Sequence, residues 1–474
     1  MILIYIAASL LISGILFFNK VTIVRKILVL LFLLMQIIFT AYEFTHKGLT
    51  EFNFFKADAL AILMLITLTI ISIPALLHSY DYIYKEQDNR RARSIYYVAM
   101  IMLIMALSAA YLSSHIAVTW IFVELTTLSA SALIFHRRNA GSIEATWKYI
   151  FVCSISLVFV FIGILFLSLA LGDTNQETLH YETLIELAPN LNQFWLRLSF
   201  IFIFTGFTAK LGLVPMYTAG IDAKDKAPTP AAALFSSVLM NVGFVGVFRF
   251  YEIISHNPLH QWANHVIMIS AFLSIFIATV YMLKVKNIKR MLAYSSIEHM
   301  GVIMLGLAAG GIGYYAAILH IILHSFAKSA LFFQIGHIYK TYKTKNTYYI
   351  GNYFKYNISG AIFMLIAFIC VTGMPPSGLF ISEFYIFKAL FQANYLYLLI
   401  PLLILLTFIF WALGRNFLKI LFTPPVDFDE SCIEKVNSYE TLSQYILMGL
   451  VIYLGLNPPV FFNDLIQEAI KNLI

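Results

Sequence analysis

Apolar runs of about 18 to 31 residues recur from one end of the chain to the other, separated by short polar interruptions. At about 1.5 Å per residue, each run matches the thickness of a bilayer's hydrocarbon core. The pattern predicts an all-α, polytopic transmembrane bundle of about 14 helices. Their expected positions are near 1–18, 24–43, 57–79, 94–113, 115–136, 146–171, 195–219, 229–250, 264–284, 291–309, 313–339, 358–388, 395–422 and 440–461. Connections such as Ser113 with Ser114, and the glycines from Gly310 to Gly313, are short enough to make neighbouring helices antiparallel hairpins. The first run, Met1 to Phe18, lacks the positive start of a secretory signal and reads as a span.

The charges between runs orient the bundle. Basic residues collect in the odd-numbered loops: Lys20, Arg25 and Lys26; Arg90, Arg91 and Arg93; Arg137 and Arg138; Lys284, Lys286, Lys289 and Arg290; Lys340, Lys343 and Lys345. The even loop holding Asp173, Glu177, Glu182 and Glu186 is acidic. Because cytoplasmic loops carry the Lys/Arg excess, both termini are expected outside the cytoplasm. The same loops account for the net charge of +7, so nucleic acid is not an expected partner. With 61% of 474 residues apolar and only 12% charged, nothing is left for a soluble catalytic domain, and the lipid bilayer is the chain's main surrounding. Cys153, Cys370 and Cys432 form no CxxC pair, so no iron–sulfur centre is expected on this chain, and the residues themselves point to no cofactor.

Two spans carry Gly/Pro interruptions at comparable places. One holds Gly206, Lys210 and Pro215; the other holds Gly373, Pro375, Pro376 and Glu383. A pair of interrupted spans five helices apart, each with an ionisable residue, is the mark of an inverted-repeat transporter. This predicts two inverted five-helix repeats, 91–255 and 256–424, preceded by a three-helix segment 1–90 and followed by a C-terminal helix within 425–474. Ordinary proline kinks are the competing reading.

Ionisable groups inside spans are the candidate chemistry, because a charge in lipid is costly unless paired or functional. Glu124 is mid-span, with Lys210 its expected partner, either as a translocation pair or as a tie between helices. His320, His324 and Lys328 recur at i, i+4 and i+8, lining one helix face as a proton-exchanging row. A zinc site is the poorer reading there, since no third ligand with suitable spacing is evident and no metal is expected. Glu298 and His299 could line a water-filled path, or Glu298 could lie at the aqueous boundary. Lys148 could snorkel to the interface or join a half-channel. Arg249 and Lys388 read as interfacial anchors.

Four motifs then carry a resemblance. In order and spacing, APTPAAAL, KNIKRMLAYSSIEHMG, HIILHSFAKSALFF and GMPPSGLFISEF resemble the antiporter-like subunits shared by respiratory complex I, Mrp-type sodium/proton antiporters and group 4 membrane-bound hydrogenases, over roughly residues 60–420. The wording SSIEHMG is most similar to the F component of hydrogenase-4. The resemblance implies that each repeat forms a half-channel, with Glu124 and Lys210 the acid–lysine pair of the first half, Lys328 the connecting lysine, and Glu383 the terminal acid. It also implies a proton-translocating subunit in a prokaryotic cell membrane that works beside other membrane subunits and, through them, peripheral iron–sulfur redox subunits. Such a subunit belongs to an oxidoreductase complex without holding a redox centre. Two features depart from the pattern. Asn241, which cannot ionise, stands where many relatives place a second lysine, and Lys224 stands where a histidine is frequent, although Asp222 is retained. An Mrp-type antiporter subunit, a non-transporting scaffold and a proton-coupled carbon-uptake subunit are the alternatives.

Overall fold

A computed structural model describes residues 1–19, 21–85, 90–172, 178–426, 436 and 438–473; Lys20, Asp173, Glu177 and Cys432 lie outside the described residues. In order the chain forms α1 (Ile2–Phe18), α2 (Thr22–Thr45), a hairpin of β1 (Thr50–Glu51) with β2 (Phe55–Lys56), α3 (Ala59–Lys85), α4 (Arg90–Leu112), α5 (Ile116–Ile134) and α6 (Ala140–Leu171). Then come α7 (Tyr181–Leu187), α8 (Gln193–Leu211), α9 (Thr218–Lys226), α10 (Thr229–Phe235), α11 (Val238–Ser255) and α12 (His260–Lys284). The remainder is α13 (Ile288–Ala309), α14 (Ile312–Tyr342), α15 (Tyr353–Tyr356), α16 (Ile358–Val371), α17 (Gly378–Gln392), α18 (Leu396–Phe422), α19 (Leu442–Leu456) and α20 (Val460–Ala469).

Among the described residues, 11 helices are long and apolar enough to cross a bilayer, with α10 and α11 counted as one run. The other three expected spans fall on shorter apolar pieces: α1, the interrupted pair α16 and α17, and α19, which bends by 73° into α20. Each of the 14 expected segments thus holds a helix, but not each is a full-length span.

The chain divides into two compact units. The first comprises Met1–Ala231, Val238–Val266 and Asp464–Ile474; the second comprises Ala232–Ser237 and Ile267–Asn463. In the first, α4 packs on α1, α3 and α5, and α6 on α5 and α8. Helices α1, α2 and α3 thus lie within the first unit. Part of the reason is polar: the buried Gln36 side chain accepts from Tyr5 and donates to Thr69 at 3.0 Å, and Thr69 meets Thr40 at 2.7 Å. Buried polar groups in an apolar solvent persist only when satisfied in this way.

Gly206, expected as a helix break, lies inside α8. A Cβ there would meet the Ser156 carbonyl oxygen and Val160 Cγ2, each at 2.4 Å, so glycine lets the α6 and α8 backbones touch. The break itself begins at Gly212, whose φ of +79° caps α8, and runs through Pro215 to α9.

In the second unit, α13 and α14 are buried along their apolar lengths, and α14 is packed by α13, α16, α17 and α19. Helices α17 and α19 meet at a glycine pair, where a Cβ on Gly455 would lie 2.0 Å from the Gly378 Cα. Gly455→Val should lower stability by about 1–3 kcal/mol, the usual cost of overpacking. The check is the thermal midpoint of the purified protein, and an unchanged midpoint would show that the helices do not meet there.

Candidate functional site

In the first unit, ionisable side chains gather where α8 ends. Lys210 occupies its last turn, where the exposed carbonyls carry partial negative charge that favours a cation. Glycines on α11 let that helix close over it: a Cβ at Gly243 would lie 2.9 Å from the Lys210 Cβ, and one at Gly246 would strike the Phe207 ring. The ammonium is buried and donates to the Thr127 hydroxyl at 2.8 Å, to Thr126 at 3.2 Å and to the Tyr149 hydroxyl at 3.4 Å.

Glu124 does not make the direct ion pair with Lys210 that its depth and sign lead one to expect. Its charge still acts on Lys210, and its Oε2 atom is buried with no hydrogen-bond partner. Residues at i and i+3 share a helix face, so Thr127, which binds the ammonium, lies on the Glu124 face of α5. Glu124 itself is only half-buried.

The other first-unit candidates separate. Lys148 is exposed and pairs with Glu144 at 2.5 Å and with Asp222 at 3.7 Å, a surface cluster apart from the Lys210 hydrogen bonds. Asn241 is fully buried in α11. Lys224 is buried and donates to the Met240 sulfur at 3.1 Å. Asp222 and Lys224 are two residues apart, roughly 200° around a helix, so when Asp222 faces the Lys148 surface Lys224 must face inward. Arg249 is no interfacial anchor: it is buried, pairs with Asp58 at 2.6 Å and donates to the Tyr111 carbonyl at 3.0 Å.

In the second unit, the candidates converge. His320, His324 and Lys328 lie along one face of α14, and all three are fully buried. Lys328 donates to Ser295 on α13 at 2.6 Å. One turn along α13, Glu298 lies close enough to Lys328 for their charges to interact. The His299 ring centroid is 5.2 Å from those of both His320 and His324, and its Nε2 is 3.7 Å from Glu298. His299 Nδ1 lies 3.0 Å from His320 Nε2 and 3.9 Å from a Glu383 carboxylate oxygen on α17. His320 Nδ1 meets the Ser382 hydroxyl at 2.8 Å.

The break between α16 and α17 sets the acid in place. Pro375 and Pro376 lie within it, and Gly373 has φ +59°. A Cβ on Gly373 would come within 2.1 Å of a Glu383 oxygen, so only glycine lets the carboxylate seat there. Glu298 and His299, read from sequence only as candidate path-lining groups, are thus in the middle of the cluster, joining the lysine to the terminal acid. Helical spacing could not show this, because it fixes which residues share a face but not which face a neighbouring helix meets. Chemically the cluster brings three imidazoles, an ammonium and two carboxylates together across three helices, side-chain types able to exchange protons.

The sequence profile of the NADH:quinone oxidoreductase/Mrp antiporter transmembrane family matches residues 113–409, and the chain belongs to that family. It is an antiporter-like, multi-pass membrane protein. Among curated relatives, it is 29% identical over 350 residues to a hydrogenase-4 component F homolog of Methylacidiphilum infernorum, covering 72% of this chain and 74% of the relative. Its fold is similar to that of a chain in the membrane-bound sulfane sulfur reductase, an archaeal respiratory membrane complex, with a TM-score of 0.88 and 20% identity over 100% of this chain and 97% of the other. A chain of respiratory complex I from Thermus thermophilus superposes with a TM-score of 0.79 and 17% identity, covering 98% and 99% respectively.

Proposed function

We infer that this chain is the proton-translocating subunit of a redox-driven membrane complex of the hydrogenase-4 or complex I kind. It couples electron transfer in partner subunits to proton movement across a prokaryotic cell membrane. The observation that carries the reading is the buried chain of titratable groups from Lys328 through Glu298 and His299 to His320 and Glu383, since burying so many ionisable groups is costly unless they work. Lys210, with Glu124 reached through Thr127, is the corresponding device of the first unit. Lys148 and Asp222 then serve at its surface, and Asn241 acts as a fixed polar group. The partners are further membrane subunits and, through them, peripheral iron–sulfur subunits.

The test is purification of the tagged chain from its native membrane, followed by proton uptake into vesicles driven by the complex's own electron donor. Copurifying iron–sulfur subunits and donor-dependent uptake are expected. Copurification with small membrane subunits alone, together with sodium-dependent proton exchange, would replace this reading with an Mrp-type antiporter. Assembly without any ion movement would leave a scaffold.

Both termini are read as non-cytoplasmic from the basic odd-numbered loops. A cysteine replacing Gln193 should therefore label from outside the cell, and one replacing Tyr348 from the cytoplasm. Labelling of both from one side would overturn the orientation.

A further inference from the structure

The geometry points to a binding site for a divalent transition-metal ion of the zinc class, formed by His299, His320 and Glu383. The ligand atoms lie on three helices, α13, α14 and α17, and all come within 4.8 Å of one another. Zinc bonds imidazole nitrogen at about 2.0–2.1 Å and carboxylate oxygen at about 2.0–2.2 Å, so tetrahedral ligand atoms stand roughly 3.3–3.5 Å apart. The separations from His299 Nδ1, 3.0 Å to His320 Nε2 and 3.9 Å to Glu383 Oε1, bracket that value. Two imidazoles and one carboxylate are a familiar zinc donor set, leaving a fourth position for water. Helix α14 supplies only His320; the other two ligands, which spacing within α14 could not show, come from α13 and from the neighbouring broken helix.

The groups behind the ligands suit a bound cation. His320 turns its outer nitrogen, Nδ1, to the Ser382 hydroxyl, which is itself 3.0 Å from the Leu379 carbonyl. The outer nitrogen of His299, Nε2, is buried and lies 3.7 Å from a Glu298 carboxylate oxygen. Metal-bound imidazoles characteristically give their outer N–H to such acceptors. His299 Nδ1 and His320 Nε2 face each other at 3.0 Å, and in the metal-bound form, with both protons on the outer nitrogens, both present lone pairs to the cation. Glu383 supplies one negative charge, and Glu298, 3.7 Å from His299, stands close enough to balance a second. Access runs past the break, where Pro375 and Pro376 are exposed and Thr372, Gly373 and Met374 are half-buried.

Such an ion takes the nitrogens that proton exchange uses, so zinc should inhibit translocation. This consequence rests on the transport reading, whereas the binding site does not. The experiment is equilibrium zinc binding to the chelator-stripped, purified full-length chain with its accompanying subunits. Cobalt(II) absorption serves as the probe of coordination geometry. One tight zinc per chain and a tetrahedral cobalt spectrum are expected. Ser382→Ala keeps all three ligands and should weaken zinc binding by roughly 10–100-fold, the usual effect of losing an outer hydrogen bond. Glu383→Gln and His299→Asn, checked for intact assembly by gel filtration, should weaken it further. Zinc affinity and cobalt spectra unchanged in assembled Glu383→Gln and Ser382→Ala would overturn the site, as would the absence of tight binding to the wild-type protein. Because binding is measured without a gradient or an electron donor, a chain that binds zinc here but moves no protons would keep the site and sink the transport reading.

Discussion

Lys328→Ala should abolish ion translocation, lowering the rate by roughly 10²-fold or more, while the chain still folds and assembles. A positioned proton-exchanging side chain contributes a factor of that order. Lys328 is the only ammonium shown in the second-unit cluster, bonded to Ser295 at 2.6 Å and interacting with Glu298, and alanine there preserves α14 because it is the best helix former. Lys328→Gln separates two explanations. Glutamine can still hydrogen-bond Ser295 but carries no proton to transfer, so it should be as inactive as alanine. Vesicle proton uptake, normalised to subunit content by immunoblot, decides: near-normal uptake in either variant would make Lys328 a structural tie.

Helix identity and the ionisable residues inside spans were legible because lipid leaves few compromises. Apolar length defines a span, and an interior charge stands out against it. Contacts that depend on how helices rotate against each other were not. The Gly/Pro signal around Lys210 located a break but not its start, since Gly206 serves helix packing and Gly212 serves the turn. Depth and sign paired Glu124 with Lys210, yet Thr126 and Thr127 on the same face of α5 reach the ammonium first. A retained acid drew attention to Asp222, although α9 directs Lys224 inward and leaves Asp222 with Lys148. His299 needed the α17 register before its contact with Glu383 could be seen. In each case the residue type was visible and its partner was tertiary.

The first-unit geometry changes what substitutions should do there. Lys210 is held by three hydroxyls, and the charge of Glu124 acts on it without a direct ion pair; we propose that the two couple through Thr127, which shares the Glu124 face of α5. Glu124→Gln keeps the shape and removes the charge, and should abolish coupled pumping while electron transfer in the complex continues at a reduced or uncoupled rate. Lys210→Ala should abolish pumping as well, with assembly retained. Thr127→Val is the discriminating variant, because valine is close in volume but has no hydroxyl. It removes the shortest hydrogen bond to the ammonium, and a hydrogen bond to a charged group contributes about 1.5–3 kcal/mol. At about 1.4 kcal/mol per factor of ten, the balance between linked and unlinked states should move by roughly 10–100-fold. Pumping should therefore fall in Thr127→Val with both charges still present, and adding Glu124→Gln should cost little more than Glu124→Gln alone. Proton uptake in vesicles, with subunit content checked by immunoblot, measures all four proteins. Wild-type pumping by a fully assembled Thr127→Val complex would show that Glu124 and Lys210 do not act through this hydroxyl, and wild-type pumping by Glu124→Gln would reduce the carboxylate to a structural role.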